Sequence, residues 1–141
     1  MATRSVWQLD GRLRTLCAMW FERCQSEGLD PLITCTYRSA AEQDELYELG
    51  RTKPGKKVTN AKGGQSKHNK MDAAGIPSAL AFDFVPMRNG KCVWDTKSPE
   101  NRELWEHHIK IAEDLGLVCG ARWTRLQDWP HIQLAEEETR R

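Results

Sequence analysis

The sequence predicts an α+β fold, with helices packed on a small antiparallel sheet. Three observations predict it: two long segments with helical apolar spacing, short β-branched or alternating runs between and after them, and hairpin-like neighbours among the later runs. At 141 residues the chain is expected to form one domain, residues 1–141, with no separate second module. A chain of this size buries roughly 70% of its unfolded surface and needs no covalent staples.

The first helix is expected over 8–27, where Leu9, Leu13, Leu16, Cys17, Trp20, Phe21 and Cys24 share one face. Gly28 and Asp30-Pro31 end it. Residues 32–37, LITCTY, read as a strand. Ser39 and Glu42 form a capping-box signature for a second helix that stops at Gly50. Residues 51–78 are rich in Gly, Lys, Asn, Ser and Pro and read as a long loop, a length usually tied to function or disorder. Residues 80–85, LAFDFV, alternate as a strand with an acid on one face, closed by Pro86. A turn at 87–90 leads to a short strand, Lys91 to Trp94. Ser98-Pro99 starts a third helix with Leu104, Trp105, His108, Ile111, Ala112 and Leu115 on its buried side, and Gly116 stops it. Residues 117–119 and 131–134 read as late strands, and the polar tail AEEETRR as frayed.

Charge and cysteine content exclude several classes. A net charge of +1 argues against a nucleic-acid binder. Residues 51–70 nevertheless carry seven basic side chains and no acid, which reads as a solvated loop or as a basic rim for an anionic partner. Residues 50–57, GRTKPGKK, come close to a phosphate-binding loop. They follow a helix rather than a strand, and Lys57 stands where Ser or Thr should bind magnesium, so nucleotide binding is rejected. The five cysteines are odd in number and lack C-x-x-C spacing, so they are read as reduced thiols of a cytoplasmic product. No apolar run suggests a signal peptide or a membrane span, and no membrane partner is expected.

Three residues stand outside the packing pattern. His68 follows the glycine-rich loop, His131 opens a late strand, and Asp83 interrupts an apolar strand, where a carboxylate is costly unless paired or bound to a metal. His107 and His108, adjacent on a helix, read as one solvent-facing and one core residue. Two imidazoles and a carboxylate suit a catalytic zinc, and Asp128, three residues before His131, could act as a base beside it. Spacing alone leaves this one assignment among several.

Three blocks carry a resemblance. "TYRSAAEQDELYELGRTKPGKKVTNAKGGQSKH", "ALAFDF" and "WTRLQDWPHIQL" together resemble the zinc D-Ala-D-Ala carboxypeptidase and L-alanyl-D-glutamate endopeptidase family, which includes VanY-like enzymes and many phage endolysins. The resemblance spans residues 30–134 and implies a hedgehog/DD-peptidase-like fold. It implies Zn²⁺ held by His68, Asp83 and His131, with Asp128 as general base and proton donor to the leaving amine. It also implies Arg38 at the substrate carboxylate or oxyanion, and Ser66 positioning the substrate or the metal-binding loop; Gln43 matches a recurrent position without an assigned role.

One departure stands out. The family's S-x-H-x-x-G-x-A-x-D spacing is stretched here to fifteen residues between His68 and Asp83, which makes Asp72 a competing ligand candidate. Such an excursion costs little loop entropy. The D-W-P-H ending resembles the endopeptidase endolysins. The resemblance therefore implies a monomeric peptidase that cuts the peptidoglycan stem peptide between L-Ala and D-Glu, made in the host cytoplasm and reaching the wall through a separate membrane pore at phage or prophage lysis. The alternatives are a D-Ala-D-Ala carboxypeptidase and a metal-containing wall-binding module without catalysis.

Overall fold

The computed structural model describes residues 2–136, so most of the tail expected to fray, from Glu137 onward, lies outside the described residues. Helix α1 spans Gly11–Ser26, capped by the Asp10 carboxylate, which accepts from the Arg12 amide. Strand β1 is Pro31–Cys35. Helix α2 is Ala40–Glu48, and both halves of its capping box form between Ser39 and Glu42. Strand β2 is Ala81–Arg88, β3 Lys91–Cys92, and helix α3 Pro99–Asp114, with Ser98 as cap and proline in its first turn. Strands β4, Val118–Cys119, and β5, His131–Gln133, complete the fold.

The named strands pair antiparallel, in the order β1-β2-β5-β4, with β3 beside β2. Helices α1 and α3 contact one another and share one core with the sheet. Trp20 packs against Phe82 and Phe84 at its centre, and its indole donates to the His108 carbonyl at 3.0 Å. Trp105 likewise donates to the Val93 carbonyl, so each buried indole keeps a partner. His108 is fully buried and stacks on Phe84, whereas His107 is exposed and pairs with Glu27, the division expected of neighbours on one helix.

The structure corrects three strand boundaries, the first being β1, which stops at Cys35 rather than Tyr37. Strand β2 continues through Pro86 to Arg88. Pro86 lies opposite Pro31, and β5 flanks only Ala81–Asp83, so its missing N–H falls where the ladder is already ending. Asn89 and Gly90, both at positive φ, make the tight hairpin turn, and β3 is two residues rather than four. The loop after α2 opens no helix at Lys57, in keeping with rejection of a phosphate cradle. Its basic side chains are largely spoken for. Arg51 stacks on Tyr47 and donates to Thr59, Lys53 pairs with Glu48, and Lys62 lies over Tyr47. Lys67 pairs with Glu136 and Lys70 reaches the Gly64 carbonyl.

Candidate metal centre and active-site cleft

Strand register sets the site. Asp83, in the middle strand, pairs with Cys35 of β1 on one side and His131 of β5 on the other. Residues directly opposite across a ladder share a face, so these three side chains stand in one row. His68 joins them from a 3₁₀ turn, Lys67–Asn69. That turn is tied down on several sides. Ser66 Oγ accepts from the His68 amide at 3.1 Å, Asn69 accepts from the Ser66 amide and donates to the Arg38 carbonyl, and the His68 carbonyl accepts from the Arg38 amide. Leu80, at the mouth of β2, donates to the Lys67 carbonyl.

The hydrogen bonds dictate how each imidazole faces. His68 Nδ1 lies 2.8 Å from the Thr36 carbonyl, which can only accept, so Nδ1 carries the proton. Nε2 faces Asp83 Oδ1 at 3.1 Å and offers a lone pair on that side once its own proton is displaced. His131 is reversed. Its Nε2 lies 2.8 Å from Gln133 Oε1, and its Nδ1 lies 3.6 Å from the same Asp83 oxygen. Two nitrogens and one carboxylate oxygen therefore converge, with the outward N–H of each ring held by an acceptor. That arrangement orients histidine ligands in metal sites.

Charge points the same way. Burial disfavours the His68 imidazolium, yet the Asp83 carboxylate outweighs it and lifts His68 to about 10. Burial alone would raise Asp83, but His68 and His131 hold it far below the usual carboxylate range. A site that draws a proton so strongly also suits a divalent cation, whose binding displaces that proton. Two nitrogens and a carboxylate oxygen are the donor types of open, catalytic zinc sites.

Asp128, Arg38 and Ser66 are brought to the same cleft, whose volume is about 1030 Å³. Asp128 Oδ2 lies 4.0 Å from His131 Nδ1 and is 41% exposed toward the cleft. Burial and the nearby Asp83 charge raise its carboxyl above the ordinary value. Gly120 allows this placement: a Cβ there would lie 2.4 Å from the Asp128 carbonyl and 3.0 Å from His131 Cβ. Arg38 Nη2 lies 3.7 Å from Asp83 Oδ2, while Nη1 donates to Gln43 Oε1 at 3.0 Å. Gln43 is buried and its amide also donates to Ala61 and Thr59, so it braces Arg38 and pins the opposite loop.

Asp72 is not drawn into the cluster. Its carboxylate accepts from the Ala74 and Ile76 amides, closing a small hairpin between Met71 and Pro77. Ser78 donates to the Lys70 carbonyl across the base of this excursion, so the extra residues bud outward. Two contributors were missed in the sequence. Gln133, two residues from His131 on a strand, lies on the same face by simple alternation and could have been found that way. Cys35 lies with its sulfur 3.8 Å from His68 Nδ1, and Cys35, His68 and Asp83 form a compact donor group. Only the cross-strand register exposes it. Because His68 Nδ1 is committed to Thr36, Cys35 backs that ring while His131 meets its cleft side.

The peptidase M15 family profile described as D-alanyl-D-alanine carboxypeptidase matches residues 59–134, which includes His68, Asp83, Asp128 and His131. The chain is 39% identical over 113 residues to the peptidoglycan L-alanyl-D-glutamate endopeptidase CwlK of Bacillus subtilis (strain 168), a match covering 77% of this chain and 63% of that protein. The chain thus spans a little under two thirds of that relative's length. Among solved structures, the Serratia marcescens L-Ala D-Glu endopeptidase ChiX superposes with a TM-score of 0.65 at 19% identity, covering 99% of this chain and 92% of that one. The D,D-pentapeptidase VanY, solved as an E175A mutant with Zn(II), superposes with a TM-score of 0.61 at 15% identity, over 92% of this chain and 74% of that one. These two likenesses establish a shared fold. The profile match over more than half of the sequence establishes that the chain belongs to the M15 family of peptidases.

Proposed function

We propose that this chain is a zinc-dependent peptidoglycan hydrolase that cuts the stem peptide between L-Ala and D-Glu. The observation that carries the reading is the convergence of His68 Nε2, His131 Nδ1 and Asp83 Oδ1 beside the Asp128 carboxylate. The choice of bond rests on CwlK and ChiX, both named for L-Ala–D-Glu cleavage.

In this reading His68, Asp83 and His131 hold the zinc. Bound there, zinc supplies a Lewis acid that polarises the scissile carbonyl and acidifies the attacking water. Asp128 accepts the water proton as the oxygen adds to the carbonyl carbon, and returns it to the amide nitrogen as the C–N bond breaks. Its raised proton affinity suits both halves of that exchange. Arg38, held by Gln43 and Asp83, directs its remaining N–H groups at the developing oxyanion. Ser66 fixes the His68 turn, and its own hydroxyl proton stays available to the substrate. A phage or prophage lytic role, with the protein held in the host cytoplasm until a separate pore opens, is part of the proposal and rests on the resemblance of the Asp128–His131 block alone.

The test is digestion of purified peptidoglycan with and without a chelator, with new termini identified by mass spectrometry. New D-Glu amines that vanish with the chelator are expected. Released D-Ala instead would mean a carboxypeptidase, and no chelator-sensitive product would overturn both.

A further inference from the structure

Three cationic side chains line the cleft: Arg38, Lys67 and Arg125. Two have acidic partners, Arg38 with Asp83 at 3.7 Å and Lys67 with Glu136 at 3.2 Å. Arg125 makes no hydrogen bond or ion pair among the described residues, and it stands three residues before Asp128 on the wall that carries the proposed base.

The backbone around it is nonetheless pinned. Trp123 and Asp128 both donate to the Gly120 carbonyl, at 3.1 and 3.0 Å, and Gln127 donates to the Ala121 carbonyl at 2.6 Å. Leu126, next in sequence, is held at φ 43, an uncommon conformation for a residue with a side chain. The loop therefore presents an unpaired guanidinium from a fixed base. Its flanks, Trp123 and Leu126, also line the cleft and give it apolar shoulders.

The proposed substrate supplies a matching charge. D-Glu carries two carboxyl groups, and chain continuation uses at most one, so a carboxylate remains within a few atoms of the scissile nitrogen. A planar guanidinium pairs with a carboxylate through two parallel N–H···O bonds. We propose that Arg125 binds the free carboxylate of the residue on the leaving-amine side of the scissile bond and sets the preference for an acidic residue there. This rests on the L-Ala–D-Glu reading above.

The test uses two soluble peptides containing the L-Ala–D-Glu bond, one with the free carboxylate and one with it amidated, and the zinc-loaded wild type, Arg125→Met and Arg125→Lys. Wild type should favour the acid. Arg125→Met should lose roughly ten- to a hundredfold in kcat/KM on the acid, mostly through KM, and far less on the amide, so that the preference collapses. Arg125→Lys should retain part of it. Zinc content and melting temperature report that the variants are folded. Equal losses on both peptides, or an unchanged preference, would overturn the role of Arg125 while leaving the cleavage reading intact. A wild type that cuts neither peptide would overturn both.

Discussion

Asp83 faces His131 across the β2–β5 ladder, with Oδ1 3.6 Å from Nδ1, because the two are paired residues of adjacent antiparallel strands. That ring is aimed by Gln133, which accepts from Nε2 at 2.8 Å. Removing the acceptor frees the ring to rotate and the proton to move to the wrong nitrogen. Gln133→Ala is expected to lower zinc affinity by roughly 10–100-fold, measured by competition with a chromophoric chelator, with the circular dichroism spectrum unchanged.

Asp128 borders the cluster, with Oδ2 4.0 Å from His131 Nδ1. Asp128→Ala is expected to bind zinc like the wild type while kcat falls roughly 10²–10⁴-fold. Unaltered turnover would remove Asp128 from the mechanism; loss of zinc would make it a ligand. The same variant separates an enzyme from a wall-binding module, since only an enzyme loses turnover while keeping its metal.

Gly120 has no room for a side chain beside Asp128 and His131. Gly120→Ala must displace backbone, because the nearest obstruction is a carbonyl oxygen. A destabilisation of about 1–3 kcal/mol is expected by urea denaturation, with lowered activity at temperatures where the protein remains folded.

His108 offers a pH test remote from the cleft. Burial holds its imidazole below the ordinary value of 6.5 and outweighs the opposing hydrogen bond to the Leu104 carbonyl; the His107 charge lowers it a little further and Asp30 opposes. Below about pH 6.5 the unfolded chain then takes up a proton that the folded protein resists. Stability contributed by the neutral ring is present above that pH and is lost as pH falls toward the lowered folded value. The slope from this one group cannot exceed about 1.4 kcal/mol per pH unit. Denaturant midpoints at pH 7, 6 and 5 should show a shallower acid decline for His108→Leu than for wild type.

The parts readable from sequence were those encoded locally or by type. Ser39 and Glu42 announce their helix because a capping box is a four-residue interaction, and both of its hydrogen bonds form. Asp83 stands out because a carboxylate interrupts an apolar strand, and His68 and His131 because they lie outside any packing periodicity; both rings meet the same Asp83 oxygen. What stayed hidden depends on register. Nothing near Cys35 says that it will stand opposite Asp83, since that pairing joins segments 48 positions apart across a bulge. Pro86 ends strands in isolation, yet its neighbours here require no N–H from it. Asp72 had the chemistry of a ligand, but the amides of its own turn claimed its carboxylate first.

The most direct measurement is titration of zinc into metal-stripped protein while peptidoglycan hydrolysis is followed. The account predicts no activity at the start, a linear rise, and a plateau at one equivalent for wild type, with no rise for His131→Ala over the same range. Full hydrolysis before any zinc is added, or a plateau that His131→Ala reaches equally, would contradict it.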